Sequence, residues 1–107
     1  MEDLENVIDV FKSGDYARAL KLLKPFAYQD NSEAQCIVAN IYHLGLGVEK
    51  NVVEAIKWYK KSAELGYPVA SNNLAGIYLI GDSDVEINPE EAAIWKKLSQ
   101  DQGFLAD

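Results

Sequence analysis

Positive charge is scarce in this chain. Of 107 residues, 10 are Lys or Arg against 17 Asp or Glu, a formal net charge of −7. Arg18 is the single arginine. Nucleic-acid binders release counterions with a basic patch, so that class is excluded. Attraction to an anionic membrane surface fails on the same ground. Cysteine is scarcer still: Cys36 stands alone, so no internal disulfide can form. With one His and one Cys, zinc would lack its usual ligand set, and no metal or other cofactor is expected. No apolar run exceeds a few residues, so nothing spans a bilayer. The acidic start, Met1-Glu2-Asp3-Leu4-Glu5, has no apolar segment of the secretory kind. A reducing, cytoplasmic setting is expected; an exported protein that has lost its leader is the alternative. Seven Gly and three Pro exclude a collagen-like or linker-dominated chain.

What is present is a repeat. With a shift of 36, Ala55 falls on Ala19, Ala63 on Ala27, Ala70 on Ala34, Ala75 on Ala39, Tyr78 on Tyr42 and Gly81 on Gly45. With a shift of 37, Asn51 falls on Asn88, Glu54 on Glu91, Ala55 on Ala92, Trp58 on Trp95, Ser62 on Ser99 and Gly66 on Gly103. The extra residue is absorbed around Gly81-Asp82-Ser83-Asp84, where a loop tolerates it at little cost. The units run over about 1–31, 32–67 and 68–104, in one domain covering 1–107.

Each unit holds two helices. Val52, Ala55, Ile56, Tyr59 and Ala63 form a helical apolar stripe, and two-residue alternation is absent, so no strands are expected. Asn51 with Glu54 reads as a cap, and Asn88-Pro89-Glu90-Glu91 adds a proline at the first helical position. Asp15 takes the place of Asn51 in the first unit. Gly66 followed by Tyr67-Pro68 stops one helix and starts the next. The spacing predicts helices at about 2–13, 15–29, 32–45, 51–66, 68–81 and 89–102, with Pro25 kinking the second or ending it near Lys24. Trp58 and Trp95 are expected to fill the space between hairpins, and Gly45 and Gly47 to shape a tight turn.

The segment from Ala34 through Val38-Ala39, Tyr42, Gly45, Gly47-Val48, Asn51, Glu54-Ala55, Trp58-Tyr59, Lys61-Ser62-Ala63 to Gly66 resembles a Sel1-like repeat. That family is a branch of the tetratricopeptide superfamily. The unit from Ala70 to Gly103 resembles it with two departures, Asp84 for the second Gly and Lys96 for Tyr59. The resemblance implies an all-α, right-handed α-solenoid of about three helical hairpins. It also implies a bacterial adaptor that holds a partner on its concave inner face. Some secreted members carry paired cysteines and were linked to β-lactam binding or hydrolysis; such pairs are absent here.

No constellation carries catalysis. Cys36 and His43 lie two turns apart on one helix, about 10 Å by helix rise, too far for a nucleophile and its base. Asp82-Ser83-Asp84-Val85-Glu86 hints at a calcium loop, but Ile87 and Ala93 stand where an EF-hand needs Gly and Glu. Gly45-Leu46-Gly47 lacks the preceding strand and following Lys-Ser/Thr of a phosphate cradle.

The remaining candidate is a surface. Resemblance to tetratricopeptide stacks places the first helix of each hairpin on the concave face, which there would carry Glu5, Asp9 and Lys12, then Glu33, Cys36, Asn40 and His43, then Asn72, Gly76 and Leu79. An Asn amide can bond an extended peptide backbone in both directions. The expected activity is binding of a protein or peptide partner, a basic one given the net charge. No enzymatic function is expected. The alternative is a scaffold that self-assembles as a weak homodimer through Trp95, Leu98, Phe104 and Leu105. A secreted protein acting on β-lactams ranks below both.

Overall fold

The computed structural model describes residues 3–104. Glu2, where the first helix was expected to start, and Leu105 of the expected stacking end lie outside those residues. Six helices follow in order: α1 (Leu4–Lys12), α2 (Tyr16–Tyr28), α3 (Ser32–Leu44), α4 (Val52–Glu64), α5 (Pro68–Ile80) and α6 (Pro89–Asp101). Among the described residues there is no named strand, only one isolated bridge between Asp82 and Val85 in the last inter-helix loop. The architecture is an α-solenoid of three helical hairpins. Each helix packs chiefly on its sequence neighbours, α1 on α2 through to α5 on α6.

The starts of the helices follow local chemistry. The orphan amide groups of a first turn need acceptors. Asp3, Asn31, Asn51 and Asn88 supply them, accepting from the backbone N–H of Asn6, Ala34, Glu54 and Glu91 at 2.9–3.1 Å. Asp15, expected to act like Asn51, makes no such bond. Pro25 does not end α2, which runs on to Tyr28. One and a half turns from Tyr28 to the core residue Leu23 keep the helix in place. Gly45 closes α3 in the left-handed conformation at φ +67°.

The two long hairpins close alike. The N–H of Asn51 donates to the carbonyl of Tyr42 at 2.8 Å, and that of Asn88 to Tyr78 at 2.7 Å. These pairs bracket the loops, so the one-residue insertion falls between Tyr78 and Asn88, as the shift in period requires. An ion pair of 2.9 Å between Lys50 and Asp82 ties the two loops together. It occupies the acidic segment that resembled a calcium loop.

The core is continuous along the stack. Leu20, Leu23, Val38, Ile41, Trp58, Tyr59, Leu74 and Ile77 are buried, with Ala19, Ala39, Ala55 and Ala75 at the close helix contacts. Buried and half-buried polar side chains join elements. Gln35 donates to the carbonyl of Ala27 at 3.0 Å, Ser62 to that of Ser32 at 2.7 Å, and Gln102 to that of Ala63 at 2.8 Å. Trp58 meets the Tyr28 ring edge-on, with centroids 5.4 Å apart, and so fills the gap to the preceding hairpin. Trp95 differs: it is only half-buried, and its indole N–H donates to Glu91 at 3.0 Å. No described helix packs beyond α6, so the equivalent gap has one wall only.

Candidate functional site

The face carried by α1, α3 and α5 holds three depressions. The first, of about 440 Å³, is lined by Leu4, Glu5, Ile8, Asp9 and Lys12 of α1 and by Glu33 at the start of α3. Three carboxylates and one ammonium share it. α1 is short and amphipathic, with Val7 turned inward, which leaves Glu5, Asp9 and Lys12 exposed.

The second depression, of about 500 Å³, lies between α3 and α5. Asn40 and His43 line it from α3, and Asn72, Asn73 and Gly76 from α5. Leu44, Ile77 and Ile80 add apolar surface, and Leu44 and Ile80 are 62% and 76% exposed. Those two sit at equivalent positions, 36 residues apart, at the ends of their helices. The third depression, of about 370 Å³, lies between α5 and α6 and shares Asn72 and Gly76 with the second. Leu79 lines it too, and Lys96 crosses it to donate to the Asn72 side-chain oxygen at 3.0 Å.

Nine of the ten expected groove residues therefore fall into these hollows: Glu5, Asp9, Lys12 and Glu33 in the first, Asn40, His43, Asn72 and Gly76 in the second, and Leu79 in the third. Cys36 does not. Its side chain is 3% exposed and belongs to the core. The i, i+4 relation to Asn40 suggested a shared face, but α3 is buried on a wide arc, including Gln35, because α2 and α4 close on it. Burial, assisted by nearby Glu33, pushes the Cys36 thiol up to about 12, so it is neutral. A neutral thiol is a poor nucleophile and a poor metal ligand. Among the described residues, no group of three or more His, Cys, Asp or Glu is placed to hold a metal ion.

Leu44 and Ile80 of the second depression went unread in the sequence, and so did two polar residues. Asn73 lines the floor beside Asn72. Tyr59 was assigned to the core, and its ring is buried, but its hydroxyl reaches the groove. It bonds Asn40 Oδ1 at 2.5 Å and lies 3.4 Å from His43 Nδ1. The available signal was chemical: a buried phenol needs a partner, and α3 offered Asn40. Burial raises the Tyr59 pKa, with Cys36 adding to it, so the phenol stays protonated. His43 is pulled the other way. Burial lowers its pKa, Lys50 lowers it further, and Asp82 opposes both.

These features define the class: a helical-repeat protein whose polar hollows sit along one run of helices. The Sel1 repeat model matches residues 8–31, 32–67 and 68–103. The chain belongs to the Sel1 repeat family. Among solved structures it is similar to a Sel1 repeat protein from Oxalobacter formigenes, with 34% identity and a TM-score of 0.85 over 94% of this chain. It is also similar to a protective antigen of uropathogenic Escherichia coli with an SLR fold, with 36% identity and a TM-score of 0.77 over 80% of this chain. The chain spans 41% of the first protein and 18% of the second. No match was found among the curated proteins. Among the described residues, no helix is long and apolar enough to cross a membrane.

Proposed function

We propose that this chain is a non-enzymatic adaptor of bacterial cytoplasm that holds a basic, extended segment of a partner protein along α1, α3 and α5. The carrying observation is the division of the hollows. Glu5, Asp9 and Glu33 gather in one, and the asparagines Asn40, Asn72 and Asn73 gather in the next. The first suits Lys or Arg side chains, and the second suits peptide amides. Three hairpins make a short groove, so binding is weak or transient. The test is titration of a capped Lys-Val repeat octapeptide into the wild type and an Asp9→Lys/Glu33→Lys variant. Each lost charge pair at an exposed rim is worth about 0.2–1 kcal/mol at low salt, so the pair should weaken binding about 2- to 30-fold. Equal affinity would remove the acidic hollow from the site.

A second reading, self-association, is favoured by one observation. Ala93, Ile94 and Leu98 line a hollow of about 490 Å³ on α6, and Ile94 is 61% exposed. Repeat equivalence puts Lys57 and Lys61 at the positions of Ile94 and Leu98. On this reading, sedimentation shows concentration-dependent dimers that Leu98→Glu abolishes; a monomer at all concentrations would dismiss it.

A further inference from the structure

The second hollow contains a hydrogen-bond network complete before any partner arrives. Tyr59 Oη lies 2.5 Å from Asn40 Oδ1 and 3.4 Å from His43 Nδ1. Asn73 Nδ2 donates to the same Asn40 oxygen at 3.4 Å. In this arrangement the Asn40 oxygen, not its NH2 group, faces Tyr59. An amide oxygen only accepts, so the single phenolic hydrogen goes to Asn40. What Tyr59 turns to His43 is then a lone pair, and Nδ1 must carry the imidazole hydrogen to bond with it. A neutral imidazole has one such hydrogen, so Nε2 is bare. Neither Nε2 nor the Asn40 NH2 group has a partner among the described residues, and both side chains line the hollow.

Resting on the reading of this hollow as a peptide site, we propose that Tyr59 sets Asn40 and His43 as a fixed pair that binds a partner's main chain. Asn40 Nδ2 donates to a peptide carbonyl, and His43 Nε2 accepts a peptide N–H. One residue of an extended segment offers both. Tyr59 touches no partner and is a positioning residue. The partner's sequence is then read elsewhere, basic groups by Glu5, Asp9 and Glu33, apolar ones by Leu44 and Ile80. Protonation of His43 places a second hydrogen on Nε2 and turns the acceptor into a donor. The charged groups facing it are Lys50 and Asp82, with Tyr59 beneath. Binding therefore weakens as pH falls through the His43 transition.

His43 is the only histidine, so its imidazole nitrogens can be observed without assignment ambiguity in long-range proton–nitrogen NMR spectra. The wild type at neutral pH should show the Nδ1–H tautomer. Tyr59→Phe keeps the ring and should shift the tautomer towards Nε2–H. In the wild type, the capped Lys-Val octapeptide should move the Nε2 resonance. Its affinity should fall about tenfold in Tyr59→Phe, the loss of roughly one hydrogen bond in a desolvated site. It should fall similarly when the wild type meets a peptide N-methylated at the bound amide. An Nε2–H tautomer in the wild type, which needs no variant, overturns the pairing while leaving the peptide reading standing. Binding with an unmoved Nε2, or indifferent to N-methylation, overturns it as well. No binding by the octapeptide defeats the peptide reading and the pairing together.

Discussion

Replacing Gly47 by Ala separates stacking from backbone strain. Gly47 lies in the α3–α4 loop at φ +69°, and an added Cβ would sit 2.8 Å from the backbone nitrogen of Ala17 and 3.1 Å from Tyr16 Cβ. Those atoms form the first turn of α2, in the preceding hairpin. Gly66 is the control: its φ is +94°, and an added Cβ meets nothing within 4 Å. Both substitutions carry the left-handed penalty, about 1–2 kcal/mol. Only the first also forces helix backbone aside, which costs about 1–3 kcal/mol more in a packed interior. Gly47→Ala should therefore cost about 2–5 kcal/mol and Gly66→Ala about 1–2 kcal/mol. At about 4 °C or more of melting temperature per kcal/mol, the two should be resolved by several degrees. Urea and thermal denaturation followed by far-ultraviolet circular dichroism would measure both. Equal losses would refute the reasoning, because they would mean that the loop yields freely and that its seat on α2 contributes nothing.

Two further outcomes follow from burial. Trp58→Ala removes a buried indole and should cost about 3–5 kcal/mol, whereas half-buried Trp95 should cost less than half of that; denaturation midpoints of the two variants would show it. Cys36 should resist a thiol reagent in the native state and react at once in denaturant. Its thiol is held protonated up to about pH 12 in the fold, while an unfolded thiol ionises near 9. The native state therefore binds more protons above pH 9, and stability falls as pH rises through that window, more steeply than in Cys36→Ala. A slope unchanged by the substitution would contradict the burial argument.

The helices were legible because their signals are local. Asn51-x-x-Glu54, Asn88-Pro89 and Gly66-Tyr67-Pro68 act within one turn, and the structure uses all three. Asp15 shows the limit. It occupies the equivalent place in a three-residue connection, and its backbone, at ψ 69°, does not aim the carboxylate at the first turn of α2. The early end near Lys24 that Pro25 allowed does not occur, because one lost backbone bond weighs less than the buried Leu23 and Ala27 on either side of it. Trp95 repeats Trp58 in sequence but not in surroundings.

By itself, the sequence determined the repeat, the six helices, the shortage of positive charge and nine of the residues that line the hollows. A period of 36–37 residues encodes units that touch only their neighbours, so the order of the chain is nearly the order in space. The tertiary structure alone decided the rest. Cys36 went to the core because α2 and α4 both pack on α3. Tyr59 reached Asn40 and His43, 19 and 16 residues away, and Asn73 reached Asn40 across 33. Periodicity assigns a residue to a face. Which hydrogen points to which lone pair depends on the distances between helices, and those exist only once the hairpins have stacked.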